Sequence, residues 1–187
     1  GSTHCPVNDE GMPLALQPKF NENPHAMFNL WKDHTASREA ESVNEILTNC
    51  EGQDFTRYQG KYISEWYWAK ILHAYHQAPE VAEEAATWIE CCDWLPSMLS
   101  GRTGLAQLYR SACAAGHKAL WHSVWGGLPE QSCLAKIHPY LGRIYDSFMN
   151  APKPADQPSG VISKKWAEKL GLPETVVIGG SSLGAHA

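Results

Sequence analysis

Apolar residues in this chain recur at two spacings, and those spacings divide it into helices and short strands. Ala36, Ala40, Val43, Leu47 and Cys50 fall three or four apart, one face of a helix that starts near Thr35 and that Gly52 stops. Residues 64–76 are apolar almost all round, which predicts a helix enclosed by protein. Pro79 suits a first helical turn, and the stripe Val81, Ala82, Ala85 and Ile89 predicts a third helix over 79–90. Another helix is predicted after Leu128-Pro129. A short one containing Trp166, Ala167 and Leu170 has Ser163 as its candidate cap and Gly171 as its stop.

Strand signals are shorter. Residues 7–16 predict two strands around the Asp9-Glu10-Gly11 turn, residues 27–31 a buried strand, and residues 175–178 a final strand. Residues 88–99 are too apolar for a loop, 100–104 form a turn, and 150–158 read as a Pro-rich extended connector. A final strand needs a neighbour to pair with. With so few strands among so many helices, the pattern reads as an interior slice of a mixed, helix-rich α/β domain.

Composition narrows the function classes. At 43% hydrophobic and 19% charged residues, the 187-residue chain builds a globular core. Fifteen Lys and Arg against 20 Asp and Glu give a net charge of −5, without the cation surplus that nucleic acid demands. No stretch approaches the ~20 apolar residues of a membrane span, and the opening residues carry no signal-peptide pattern. The first residue is not Met, which suggests either that something has been removed or that the chain is a piece of a longer polypeptide. The six cysteines (Cys5, Cys50, Cys91, Cys92, Cys113, Cys133) include no Cys-x-x-Cys and read as reduced thiols of a cytoplasmic protein. His73 and His76 lie one helical turn apart, but with no third ligand in view no metal site is expected.

Candidate chemistry is sparse in generic motifs. Gly179-Gly180 and Gly184 follow a strand without phosphate-loop or dinucleotide spacing, which favours a strand-end turn. There is no hydrolase elbow. Eight Trp and seven Tyr suit either stacking on sugar rings or an aromatic-rich core. Lys118 lies among Ala114, Ala115, Gly116, Ala119, Leu120 and Trp121, where a buried ammonium needs a polar partner. A ligand hydroxyl or phosphate would serve, and so would an internal carboxylate such as Asp33 or Glu65.

Longer strings are more specific. The segment from Phe28 through Leu30-Trp31-Lys32-Asp33-His34 to Ala36 resembles a block of the L-ribulokinase branch of the FGGY carbohydrate kinase family. Ser64-Glu65-Trp66-Tyr67-Trp68, Trp88-Ile89-Glu90 through Trp94, Ala115-Gly116-His117-Lys118, Gly126-Gly127-Leu128-Pro129 and Leu170-Gly171-Leu172-Pro173 resemble later blocks in the same order. The resemblance implies an ATP-dependent, Mg2+-requiring kinase that phosphorylates a ketopentose such as L-ribulose on its terminal hydroxyl. It implies two RNase-H-like, actin-related domains with the reaction between them. Residues 1–187 would be part of the first, sugar-binding domain, without the nucleotide-binding domain, so neither ATP nor Mg2+ is expected to bind this chain strongly. Its partners would be the ketose and the remainder of the kinase, with no nucleic acid and no membrane.

Site residues follow from the same resemblance. Gly1 and Ser2 match a strand end whose backbone approaches the sugar, and Lys118 matches the lysine that contacts ketose oxygens. Trp31 and Asp33 match a block near the pocket, and Tyr62 a sugar-contacting tyrosine. One departure is serious: Gly184 stands where the family carries the aspartate that accepts the proton from the attacking hydroxyl, and His186 does not replace it. The chain is therefore expected to be catalytically inactive. The alternative expectation is a non-catalytic carbohydrate-binding or regulatory module descended from the kinase fold.

Overall fold

A computed structural model describes residues 3–181 of the chain. Gly1, Ser2, Gly184 and His186 lie outside the described residues. Strand β1 (His4–Val7) pairs antiparallel with β2 (Thr87–Glu90), with His4 opposite Glu90 and Val7 opposite Thr87. All eight strand residues are buried, so this ribbon is interior although it has only two strands. The peptide N–H of Cys91 donates to the Thr3 carbonyl beyond the ribbon's end.

Helices surround the ribbon. Helix α1 (Ser37–Leu47) and α2 (Tyr67–Gln77) pack on each other, followed by α3 (Pro79–Glu84), α4 (Cys91–Leu99), α5 (Ala112–Ala119), α6 (Gln131–Ile137) and α7 (Pro139–Ser147). The apolar stripe of α1 is buried as predicted, with Val43 and Leu47 fully enclosed. Helix α2 buries Trp68, Ala69, Ile71 and Leu72, in agreement with its lack of a polar face, though it begins at Tyr67. Buried polar tips find partners: Trp88 Nε1 donates to Tyr140 Oη (3.0 Å), and Tyr140 Oη donates to the Ala82 carbonyl (2.8 Å).

The predicted third helix is wrong beyond residue 84. At Ala85 the backbone becomes extended, and residues 87–90 form β2 instead, because Thr87, Trp88 and Ile89 complete the ribbon with β1. Two predicted strands are also corrected. After the Asp9-Glu10-Gly11 turn only one bridge forms (Val7 to Pro13), and Leu14–Leu16 closes into a 3-10 turn. Residues 27–31 cross β1 irregularly: Asn29 donates its N–H to the His4 carbonyl (2.9 Å), while Met27, Leu30 and Trp31 are exposed.

The final strand does have its neighbour. Strand β4 (Val177–Ile178) pairs antiparallel with β3 (Gly160–Val161), across α8 (Lys164–Leu170). The last strand is therefore paired within the described residues, and the reading of the chain as a slice of a larger domain does not rest on it.

The thiols are also not all free. Cys50, just past α1, and Cys133 of α6 form a disulfide across 83 residues, and both are buried. The α1–α6 packing brings them together, a proximity that linear spacing does not reveal. Cys5, Cys91, Cys92 and Cys113 take no part in a disulfide. Among the described residues no helix is long and apolar enough to cross a membrane.

Candidate functional site

Lys118 sits in the last turn of α5, which the Ser111 side chain caps by accepting from the Ala114 N–H (3.1 Å). The helix ends at Leu120 in the left-handed region (φ 61°), and Lys118 is turned wholly inward. Its Nζ donates to Glu90 Oε1 (3.2 Å) and Oε2 (3.3 Å), and lies 5.2 Å from the centre of the Trp31 ring. The internal carboxylate is thus Glu90, at the end of β2, and neither Asp33 nor Glu65. Burial pushes the Glu90 carboxyl up despite the Lys118 charge, and pushes the Lys118 ammonium down despite Glu90.

Trp31 covers this pair from the solvent side, and a second buried cation fixes its loop. Lys70 Nζ of α2 donates to the Leu30 carbonyl (3.1 Å), the Asp33 carbonyl (2.8 Å) and Asp33 Oδ2 (3.1 Å). Burial raises the Asp33 carboxyl, but hydrogen bonds from Thr35 and Lys70 outweigh it and hold the group at about 2. Asp33 is therefore committed to shaping the loop that carries Trp31. Glu65 pairs instead with the exposed His34 (3.0 Å).

Tyr62 lies behind Lys118. Its hydroxyl donates to the Lys118 carbonyl (2.6 Å) and accepts from the Trp68 N–H (2.8 Å), joining the start of α2 to the end of α5. The ring is 1% exposed, and the partners of its hydroxyl are interior backbone groups. The structure thus unites Lys118, Trp31 and, one step removed, Asp33, with Tyr62 beneath. Gly1 and Ser2 fall outside the described residues.

Sequence reasoning missed Glu90, Lys70, Asp93 and His4. Asp93 is buried, which raises its carboxyl, and it accepts from Ser181 Oγ (2.7 Å) and from the Ser111 N–H (3.1 Å). It ties the segment after β4 to the start of α5. A signal existed: Glu90 and Asp93 are carboxylates embedded in Trp88-Ile89 and Trp94-Leu95, and Lys70 is a cation between Ala69 and Ile71. The criterion that singled out Lys118 applies equally to them.

Other candidates resolve differently. His73 and His76 each place Nδ1 against Glu39 Oε1 (3.2 and 3.0 Å) beside a hollow of about 520 Å3 between α1 and α2. Cys50, Glu51 and Cys133 gather ligand-type atoms, but the two sulfurs are bonded to each other. Gly180 packs against backbone: a Cβ there would lie 2.5 Å from the Ala155 carbonyl oxygen and 2.6 Å from that of Gln157. Carbonyl oxygens repel a phosphate, so Gly180 does not fit a nucleotide cradle; the backbone of residues 179–181 after β4 is irregular, and Gly184 lies outside the described residues.

No protein-family profile matches the chain. Individual relatives do. It is 46% identical over all 187 residues to a ribulokinase of Vibrio parahaemolyticus, covering 33% of that protein. Identity to a ribulokinase of Geobacillus thermodenitrificans is 32% over 99% of the chain, and to ribulokinase 2 of Staphylococcus saprophyticus 36% over 94%, each covering 32% of the relative. The chain thus spans about a third of the length of the curated relatives it matches. Among solved structures, xylulose kinase from Bifidobacterium adolescentis superposes with a TM-score of 0.55 at 11% identity, over 83% of the chain and 34% of that protein. The fold is that of part of a sugar kinase, and the sequence is similar from end to end to one segment of the ribulokinases.

Proposed function

We propose that this ribulokinase-like segment supplies one wall of a ketopentose site, built on Lys118 and Trp31. The observation that carries the reading is the Lys118 ammonium, buried between the Glu90 carboxylate and the Trp31 indole. An indole face takes the C–H surface of a sugar and an ammonium donates to its oxygens, so the pair offers both halves of carbohydrate recognition. L-ribulose or a closely related ketopentose is the substrate class, by analogy with the relatives. Access requires the indole to swing from the ammonium, and the Lys70–Asp33 anchor holds the rest of that loop in place.

In this reading the segment binds sugar and leaves phosphoryl transfer to other parts of a longer kinase, where ATP and Mg2+ are held. No transfer step is assigned to the described residues. Gly184 in place of the general-base aspartate removes proton acceptance, which is worth about 10²–10⁴ in rate. The same glycine is what a non-catalytic sugar-binding module would carry.

A thermal melt with and without millimolar L-ribulose, paired with an assay for sugar phosphate in the presence of ATP and Mg2+, tests the proposal. A rise in Tm with L-ribulose and no product is expected. An unchanged Tm contradicts the binding wall, and measurable product contradicts the inactive assignment.

A further inference from the structure

His4 is wholly buried, and neither ring nitrogen has a hydrogen-bond partner among the described residues. Polar groups shut away from water are nearly always paired, so an orphaned imidazole beside a buried ion pair calls for a physical explanation. Its Nδ1 lies 3.8 Å from Glu90 Oε1, across the register pair of β1 and β2 and just outside hydrogen-bonding distance. That same oxygen accepts from Lys118. The other groups facing His4 are the Tyr67 ring of α2 (5.4 Å between ring centres), the Trp88 ring of β2 (5.6 Å) and the Lys70 ammonium of α2. Burial first, then the charges of Lys118 and Lys70, hold the imidazole neutral. His4 therefore waits beside a carboxylate that Lys118 already occupies.

We propose that His4 is the reserve partner of Glu90: when the Lys118 ammonium turns toward a ligand oxygen, the imidazole closes the 3.8 Å gap and donates Nδ1–H to the carboxylate. Without such a partner, a ligand that draws Lys118 away from Glu90 would strand a buried carboxylate, a cost subtracted directly from affinity. The neutral ring already carries one N–H. As the cation withdraws, the ring takes a second proton from solvent onto its other nitrogen, so one charged pair replaces another. Ligand binding then carries proton uptake with it. His4 acts through Glu90 and Lys118 and is a positioning residue. The inference rests on Lys118 being the ligand-binding group.

The decisive test needs no sugar. Ring 15N spectra of histidine-labelled protein, recorded against pH, report the protonation state and tautomer of His4 directly. In the wild type, His4 is expected to titrate well below the ordinary imidazole range, held neutral by burial and by the Lys118 and Lys70 charges. In Lys118→Met, and in Lys118→Gln should the first variant not fold, it should titrate about one pH unit or more higher, with its proton on Nδ1. Adding Glu90→Gln should erase that rise. A His4 that stays neutral and unmoved in a folded Lys118 variant overturns the proposal. In the wild type, calorimetric titration with L-ribulose in two buffers of different ionisation enthalpy should show proton uptake, and binding without uptake also overturns it. Absence of L-ribulose binding counts against the sugar site alone and leaves the variant spectra to decide the role of His4.

Discussion

Lys118 Nζ lies within 3.3 Å of both carboxylate oxygens of Glu90, and neither side chain exposes more than 4% of its surface. A pair this deep is costly to break from one side, because the survivor remains charged in a low-dielectric interior. Glu90→Gln is expected to destabilise the chain by about 3–5 kcal/mol, and the double substitution Glu90→Gln with Lys118→Met by clearly less than the sum of the singles. Urea unfolding of the four proteins measures this. Additive losses would show that the two groups do not depend on each other.

The Cys50–Cys133 bond closes a loop of 83 residues, for which chain entropy gives about 4–5 kcal/mol. Treatment with a reducing agent is expected to lower Tm markedly and to raise the titratable thiols from four to six under denaturing conditions. Six thiols before reduction would contradict the crosslink.

Tyr62 separates support from contact. Tyr62→Phe leaves the Lys118 carbonyl and the Trp68 N–H without their hydroxyl partner, a loss of about 1–3 kcal/mol. Because the hydroxyl faces the interior, L-ribulose affinity measured well below the variant's Tm should change less than threefold. A larger loss of affinity with unchanged stability would make Tyr62 a sugar contact.

Asp33 sets a pH dependence. Its folded value of about 2 lies below the ordinary carboxylate range, so its stabilisation is fully present above about pH 4 and is lost as pH falls toward 2. With 35% of its side chain exposed, solvent screening reduces the effect to on the order of 1 kcal/mol. The wild type should lose that much more than Asp33→Asn between pH 5 and pH 2, and amide exchange at residues 30–33 should be faster in the variant. Parallel acid-unfolding profiles would contradict the Lys70–Asp33 anchor.

Helices with a clear face were legible in the sequence: α1 from Ala36, Ala40, Val43 and Leu47, and α8 from the Gly171 stop. What failed were segments whose structure is decided by distant partners. Residues 87–90 read as helix because Val81, Ala82, Ala85 and Ile89 keep a helical period, yet pairing with β1 outweighs that local preference. Likewise, Lys118 was legible as a cation in apolar surroundings. Its partner was not, because Glu90 is 28 residues away and only the folded chain brings the end of β2 to α5. Trp31 was found through resemblance, whereas its anchor Lys70 was visible only as a charge inside an apolar helix. Two buried thiols 83 residues apart carry no linear mark of their bond.

The central claim is that a ketopentose meets Lys118 beneath the Trp31 indole. Indole 1H–15N resonances, assigned by Trp31→Phe, can be followed while L-ribulose is titrated into the wild type and into Lys118→Met. The account predicts a saturable shift of the Trp31 resonance in the wild type and its loss in the variant. An unmoved Trp31 resonance at saturating L-ribulose, or the same shift in both proteins, would contradict it.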